Sequence, residues 1–326
     1  MTAPYLCVRI QKLNACLDVP LMFEPRSGFW DERRPHAKEF RIMNKPSTAL
    51  SHLKSGLRSW YRKSRLFVHH KSENENVFHC TVHKSASQWI RSILSDERVY
   101  RYSGLSSYQY TQEMPGGFDP RKVTERSFDK PFPRRTFITP LYIDYDGFGK
   151  IPKPHKYKAF FLMRDPRDLL ISWYFSVKYS HALIGNMGRL REELQRLEIE
   201  DGLLYVIDFL EDYGTFKAQR SWAGSSMTDP AVLLVKYESL ISPDKASYFR
   251  ELLNHCDIRV PEHLLQELLD AYSFERLSGR KRGEEDQHAH YRKGVQDDWK
   301  NYFSDRIQHR FLEASGDLLA VWKYEH

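Results

Sequence analysis

From residue 76 onward, short apolar runs alternate with longer stretches in which apolar residues return every three or four positions. Runs of five to seven residues, rich in β-branched and aromatic side chains and bounded by polar segments, predict buried strands. They fall at 77–82 (VFHCTV), 136–141 (TFITPL), 158–163 (KAFFLM) and 232–237 (VLLVKY). The helix-period stretches predict helices over 88–97, from Pro166 onward, and over 187–198, 202–222, 243–256, 261–271 and 302–324. Residues 102–135, crowded with Gly, Pro and aromatics, and the basic segment 278–296 read as loops.

Strands buried on both faces and alternating with helices predict an α/β fold: a central, mainly parallel sheet flanked by helices on both faces. Ligands of such sheets sit beyond the carboxyl ends of the strands, which directs attention to the loops that follow each apolar run. Before residue 76 the periodicity fades and Pro4, Pro20, Pro25, Pro35 and Pro46 interrupt the chain. The expected organisation is an irregular N-terminal extension, 1–75, packed on one domain, 76–326. Within the extension, SHLKSGLRSWYRKSRLF at 51–67 sets Leu53, Leu57 and Trp60 on one helical face. Such a face either packs on the core or lies on a membrane surface.

Composition narrows the class. A hydrophobic fraction of 41% over 326 residues supports a sizeable core, and no apolar run approaches the length of a transmembrane segment. The N-terminus lacks a signal-peptide layout, so a cytoplasmic location is expected. Cys7, Cys16, Cys80 and Cys256 form no CxxC pair, which predicts reduced thiols and no zinc ribbon. Fifty Lys and Arg against 43 Asp and Glu give a net charge of +7, consistent with an anionic ligand or surface.

Three stretches offer places for such a ligand. The first is HKSASQW, at the junction between the 77–82 strand and the next helix. First-turn backbone N–H groups have no intrahelical partner and the helix dipole is positive there, so Lys84, Ser85, Ser87 and Gln88 frame an anion cradle. No glycine occurs between Val77 and Tyr102, so this is not a Walker A loop. The second is RDPRDLLIS, where Arg164 ends a strand, Pro166 opens a helix and Ser172 follows two turns on. The third is RKGVQDDWKNYF, in which Arg292, Lys293 and Gly294 join two cations to a flexible backbone position. Taken singly, each also reads as an ordinary helix start or a solvated charged face.

Together, and in this order, the three resemble the motifs of the sulfotransferase superfamily that uses 3′-phosphoadenosine-5′-phosphosulfate (PAPS), especially its cytosolic branch. HKSASQW is similar to that family's PKSGTTW, RDPRDLLIS to its 3′-phosphate motif, and RKGVQDDWKNYF to RKGxxGDWKNxF. The resemblance spans residue 77 to the end of the chain. It implies the P-loop-like sulfotransferase fold and transfer of a sulfuryl group from PAPS to a hydroxyl or amine of a small acceptor. It also implies a 5′-phosphosulfate site at Lys84, Ser85, Ala86, Ser87 and Gln88, with Lys84 as the catalytic cation and no metal required. The 3′-phosphate site would be Arg164, Ser172, Arg292, Lys293 and Gly294. Trp89, Tyr237 and Phe274 take the positions around the adenine. The expected partner is a small molecule, such as a secondary metabolite, sugar or lipid head group, and not nucleic acid.

Departures from the pattern are as informative. Ala86 stands where the family has glycine, and Asp297 replaces the second glycine of the third motif. FITPLY places Ile138 and Thr139 where the family's general-base histidine lies, leaving the base unassigned, with Glu113, Asp144 and His155 as candidates. Of the family's dimer signature only Lys300 matches, which leaves the oligomeric state open. The competing readings are a P-loop-like nucleotide kinase or phosphotransferase, a nucleic-acid binder, and a family member that binds nucleotide without catalysis.

Overall fold

The computed structural model describes residues 67–324. The expected helix at 51–67 lies, except for its last residue, outside the described residues, as do Cys7, Cys16 and all of the N-terminal extension before Phe67. Residues 67–75 are laced to the domain. The backbone N–H groups of His69, Ser72 and Glu75 donate to the carbonyls of Arg101, Ser103 and Lys156 at 2.7–2.8 Å.

Five strands form an entirely parallel sheet: β1 (Asn76–Thr81), β2 (Ser106–Tyr108), β3 (Thr136–Tyr142), β4 (Tyr157–Met163) and β5 (Val232–Lys236). Their spatial order is β2-β3-β1-β4-β5. β1 occupies the centre and pairs with β4 without a register break, from Asn76 opposite Tyr157 to Thr81 opposite Leu162. Every residue of β1 and β3 is buried, as expected for strands covered on both faces.

The helices that cover the sheet include α1 (Ser87–Leu94), α2 (Pro166–Phe175), α3 (Ile199–Asp212), α4 (Lys245–His255), α5 (Glu262–Ala271) and α6 (Asp305–Ser315). Alternation along the strands sorts the core into two layers. Phe78 and Phe161 point to one face, where they pack with Leu169 and Leu170 of α2, Ile207 and Leu210 of α3 and Phe311 of α6. Val77, Phe160 and Leu162 point to the other, against Ile90 and Ile93 of α1, Leu252 of α4 and Leu265 of α5. Trp222 anchors the first layer: its ring stacks on Phe161 at 4.8 Å and its indole N–H donates to the Ile143 carbonyl at 3.0 Å. Cys80 and Cys256 are free and buried.

The observed elements differ from the expected ones where local pattern is a poor guide. The stretch 202–222 is broken by Gly214, whose φ of +76° closes α3 before a short helix at Thr215–Ser221. β2 lies inside the segment read as loop. After α2 the chain makes one wider, π-type turn at Ser176–Ser180. Among the described residues no helix is long and apolar enough to cross a membrane.

Candidate active site

β1 and β4 are neighbours in a parallel sheet, so the loops that follow them open at the same edge. There a cavity of about 420 Å³ brings the three stretches together. Lys84, Ala86, Ser87, Gln88 and Trp89 line it from the first, Arg164 and Ser172 from the second, and Arg292, Lys293 and Gly294 from the third, with Tyr237 and Phe274 beside them. Ser85 stands apart: it is fully buried behind the wall, and its hydroxyl has no hydrogen-bond partner.

The first loop is held in an unusual shape. Lys84 and Ala86 both adopt left-handed backbone, with φ of +68° and +61°. For an L-residue with a Cβ this costs roughly 1–2 kcal/mol, so Ala86 keeps the conformation that glycine would adopt freely. Ala86 is also the residue that opens α1, and it supplies no side-chain cap. The N–H groups of the first turn are therefore left facing the loop, a ready anion site. By contrast, α2 is capped in the ordinary way, with Asp165 accepting from the Arg167 N–H at 2.8 Å and Pro166 in the first helical position.

Lys84 sits at the centre of the cations. Burial lowers its ammonium from 10.5 to about 8, and the charges of Arg164 and Arg292 push in the same direction. Arg164 donates to the Lys84 carbonyl at 3.0 Å and lies over the Tyr237 ring at 5.0 Å, while its Nε is buried without a partner. Arg292 ion-pairs with Asp298 and Glu285, and Lys293 with Asp298 at 2.6 Å. Burial disfavours the charge on Arg292, but the bonds to Asp298 and Glu285 outweigh it and hold the guanidinium above its usual range. Among the described residues, no Asp or Glu lines the cavity.

The third stretch is set by two backbone positions. Gly294 has φ of +70°, and a Cβ there would overlap the Phe274 ring, so glycine is required twice over. Asp297, in the place of a second glycine, has φ of +62°, so the loop keeps the left-handed turn without the glycine. The aromatic end is fixed by Trp89, whose indole N–H donates to the Tyr272 carbonyl at 2.8 Å and whose ring meets Phe249 edge-on at 5.7 Å.

Several other residues complete the wall. His83, Tyr142, Ser176, His181, Arg282 and His290 also line the cavity. Burial lowers the imidazole pKa values of His83, His181 and His290, each with a contribution from the Lys84 charge. Only their positions beside motif residues hinted at a role, His83 directly before Lys84 and His290 two residues before Arg292. Tyr142 ends β3, stacks on His83 at 3.7 Å and bonds to the Ser87 hydroxyl at 2.9 Å. Buried Arg126 holds it from behind, donating to the Tyr142 carbonyl at 3.1 Å.

None of the candidate bases lines the cavity. Asp144 caps the helix Tyr145–Lys150 through the Gly147 N–H, Glu113 is an exposed neighbour of the Tyr108 phenol, and His155 is exposed. Another histidine, His79, is fully buried between strands, where Nδ1 bonds Thr139 at 2.8 Å and burial lowers its pKa to about 3.

A model of the sulfotransferase domain matches residues 73–323. No curated protein matches the sequence. Among solved structures, the mouse sulfotransferase SULT7A1, crystallised with PAP, is 17% identical over 78% of this chain and 90% of its own, with a TM-score of 0.51. A retinol dehydratase crystallised with retinol and PAP is 17% identical over 75% of this chain and 81% of its own, with a TM-score of 0.45. With the motif order, the all-parallel sheet and a domain match over residues 73–323, the chain belongs to the sulfotransferase family.

Proposed function

We propose that this sulfotransferase takes its sulfuryl group from PAPS and passes it to a hydroxyl of a small-molecule acceptor, releasing adenosine 3′,5′-bisphosphate (PAP). The observation that carries the reading is one cavity with cations from three separate loops, no carboxylate among the described lining residues and an aromatic bed of Trp89 and Phe274. The PAP bound in the similar mouse sulfotransferase supports the same donor.

The donor supplies an electron-poor sulfur attached to a phosphate that leaves readily. In this reading Lys84, Ser87, Gln88 and the uncapped N-terminus of α1 receive the 5′ end. Arg164, Ser172, Arg292 and Lys293 receive the 3′ phosphate. The buried, unpartnered Nε of Arg164 fits such an acceptor. Lys84, as an ammonium, neutralises the charge that grows on the leaving phosphate oxygen. In a transfer dominated by positioning and charge stabilisation this does the work otherwise done by a metal.

The acceptor wall is Tyr142 with residues of the π-type turn and its sequel, Ser176, Ser180 and His181. It offers hydroxyls and imidazoles, and no carboxylate that would bind an ammonium, which favours a neutral hydroxyl compound over an amine. A metabolite, sugar or lipid head group fits this wall.

The test is calorimetric titration with PAP, followed by incubation of radiolabelled PAPS with a panel of phenols and alcohols in excess chelator. Saturable one-to-one binding and labelled product are expected. Failure to bind PAP would refute the donor assignment.

A further inference from the structure

The base that the family motif lacks here has a structural replacement in a different element. We infer that His181 is the general base of the transfer, accepting the acceptor's proton at Nε2. The inference rests on the PAPS reading above.

The first support is the ring's fixed tautomer. His181 Nδ1 lies 2.8 Å from the Ala182 carbonyl oxygen. A carbonyl oxygen can only accept, so Nδ1 carries the hydrogen and the neutral ring keeps its lone pair on Nε2. A base oriented by a third group is the arrangement general-base catalysis requires.

The second support is the backbone that places it. The His181 N–H donates to the Ser176 carbonyl at 2.6 Å, five residues back, which closes the π-type turn. Such insertions in helices recur at functional sites, where they redirect the residues that follow. Arg191 fixes the other side by donating to the His181 carbonyl. The helix that begins beside Arg164 thus ends by setting His181 into the wall of the same cavity.

The other two histidines of the wall lack this orientation. His83 is stacked on Tyr142 at 3.7 Å and its Nε2 is enclosed without a partner. His290 meets the edge of its neighbour Tyr291 at 5.0 Å. The charged and titratable groups bearing on His181 are Lys84, His83, His290 and Arg191. Burial lowers the ring's pKa; the bond to Ala182 opposes it, and the cations Lys84 and Arg191 add to the lowering.

In the step, the acceptor oxygen bonds to sulfur as its proton passes to His181 Nε2. The bond between sulfur and the bridging phosphate oxygen breaks, and that oxygen leaves with the electron pair beside Lys84.

Two measurements test this without knowledge of the acceptor. Nitrogen-15 spectra of the ligand-free protein should show His181 protonated at Nδ1 and bare at Nε2; the opposite tautomer overturns the inference. Hydrolysis of radiolabelled PAPS, with water as acceptor, should fall on the acid side, in a limb below the ordinary histidine value of about 6.5 because burial lowers the His181 ring. His181→Gln should lower that rate roughly 10²-fold, abolish the acidic limb and leave PAP affinity within about threefold. Persistence of the limb in His181→Gln, or its loss in His290→Gln or His83→Gln instead, overturns the inference. A wild-type protein that binds no PAP overturns the donor assignment beneath it, an outcome distinguishable from a wild type that binds PAP but whose histidine variants behave alike.

Discussion

Asp168 Oδ2 accepts the backbone N–H of Asp297 at 2.8 Å, joining the start of α2 to the loop that carries Arg292 and Lys293. The other oxygen of Asp168 accepts the Trp299 N–H at 3.0 Å, so one carboxylate fixes both sides of the turn. Burial raises the Asp168 pKa, an effect opposed by the Arg164 charge and by the two N–H bonds.

An amide in place of that carboxylate can accept from only one of the two N–H groups and sets its own NH₂ against the other. Asp168→Asn should therefore lose about 1–3 kcal/mol of stability and weaken PAP binding through the loosened loop. Denaturant unfolding with calorimetric titration measures both, and unchanged values in both would show that the carboxylate is not the tie.

Lys84 gives PAP affinity a pH dependence of definite sign. Its ammonium titrates near pH 8 in the free protein, mainly because of burial, and an anion binds the charged form. Affinity should be level below that pH and fall as pH rises above it, by up to about tenfold per unit. Titrations from pH 7 to 9.5 should show the fall in the wild type and a level profile in Lys84→Met. A level wild-type profile would remove Lys84 from the phosphate site.

Ala86 is strained where glycine would not be. Ala86→Gly relieves the left-handed penalty of roughly 1–2 kcal/mol and gives back about 0.5–1 kcal/mol in unfolded-state freedom. A net gain on the order of 0.5–1 kcal/mol is expected, which for a domain of this size raises Tm by roughly 2–4 °C per kcal/mol. Thermal unfolding decides it, and a lower Tm would mean that the methyl group contributes packing that exceeds the strain.

Gly294→Ala meets both a φ of +70° and the Phe274 ring. PAP affinity should drop roughly tenfold, about 1.4 kcal/mol and within the roughly 1–3 kcal/mol such strain costs, while far-ultraviolet circular dichroism stays unchanged. Retained affinity would indicate that Phe274 moves aside without cost.

The legible part of this protein was the part determined locally. The central strands announced themselves as continuous apolar runs because a parallel sheet buries both faces, and Phe160 and Phe161 indeed serve opposite layers. β2 escaped notice because it is three half-buried residues, Ser106–Tyr108, at the sheet edge. The break at Gly214 was hidden by apolar periodicity that continues through it, and the π-type turn leaves no mark in SVKYS. Each anion-facing stretch was visible because its residues are contiguous. Of the proposed acceptor wall, the stretches 142–156 and 178–190 were legible as segments, but its individual residues were not, because Tyr142, His181 and His290 come from the ends of three different elements and meet only after folding. Asp144 looked available in sequence, but its carboxylate is committed to the Gly147 N–H.

The unbroken pairing of β1 with β4 makes the cavity a gauge. Thr81 and Leu162 share a rung, and Lys84 and Arg164 each follow within three residues of it. The separation of these two cations is therefore set by hydrogen bonds deep in the sheet, where a slip of one residue would shift one strand by about 3.3 Å and turn its core side chains outward. Under the proposed donor reading, a ligand would be sorted by the distance between its anionic groups, and added charge at the wrong spacing would bring no compensation.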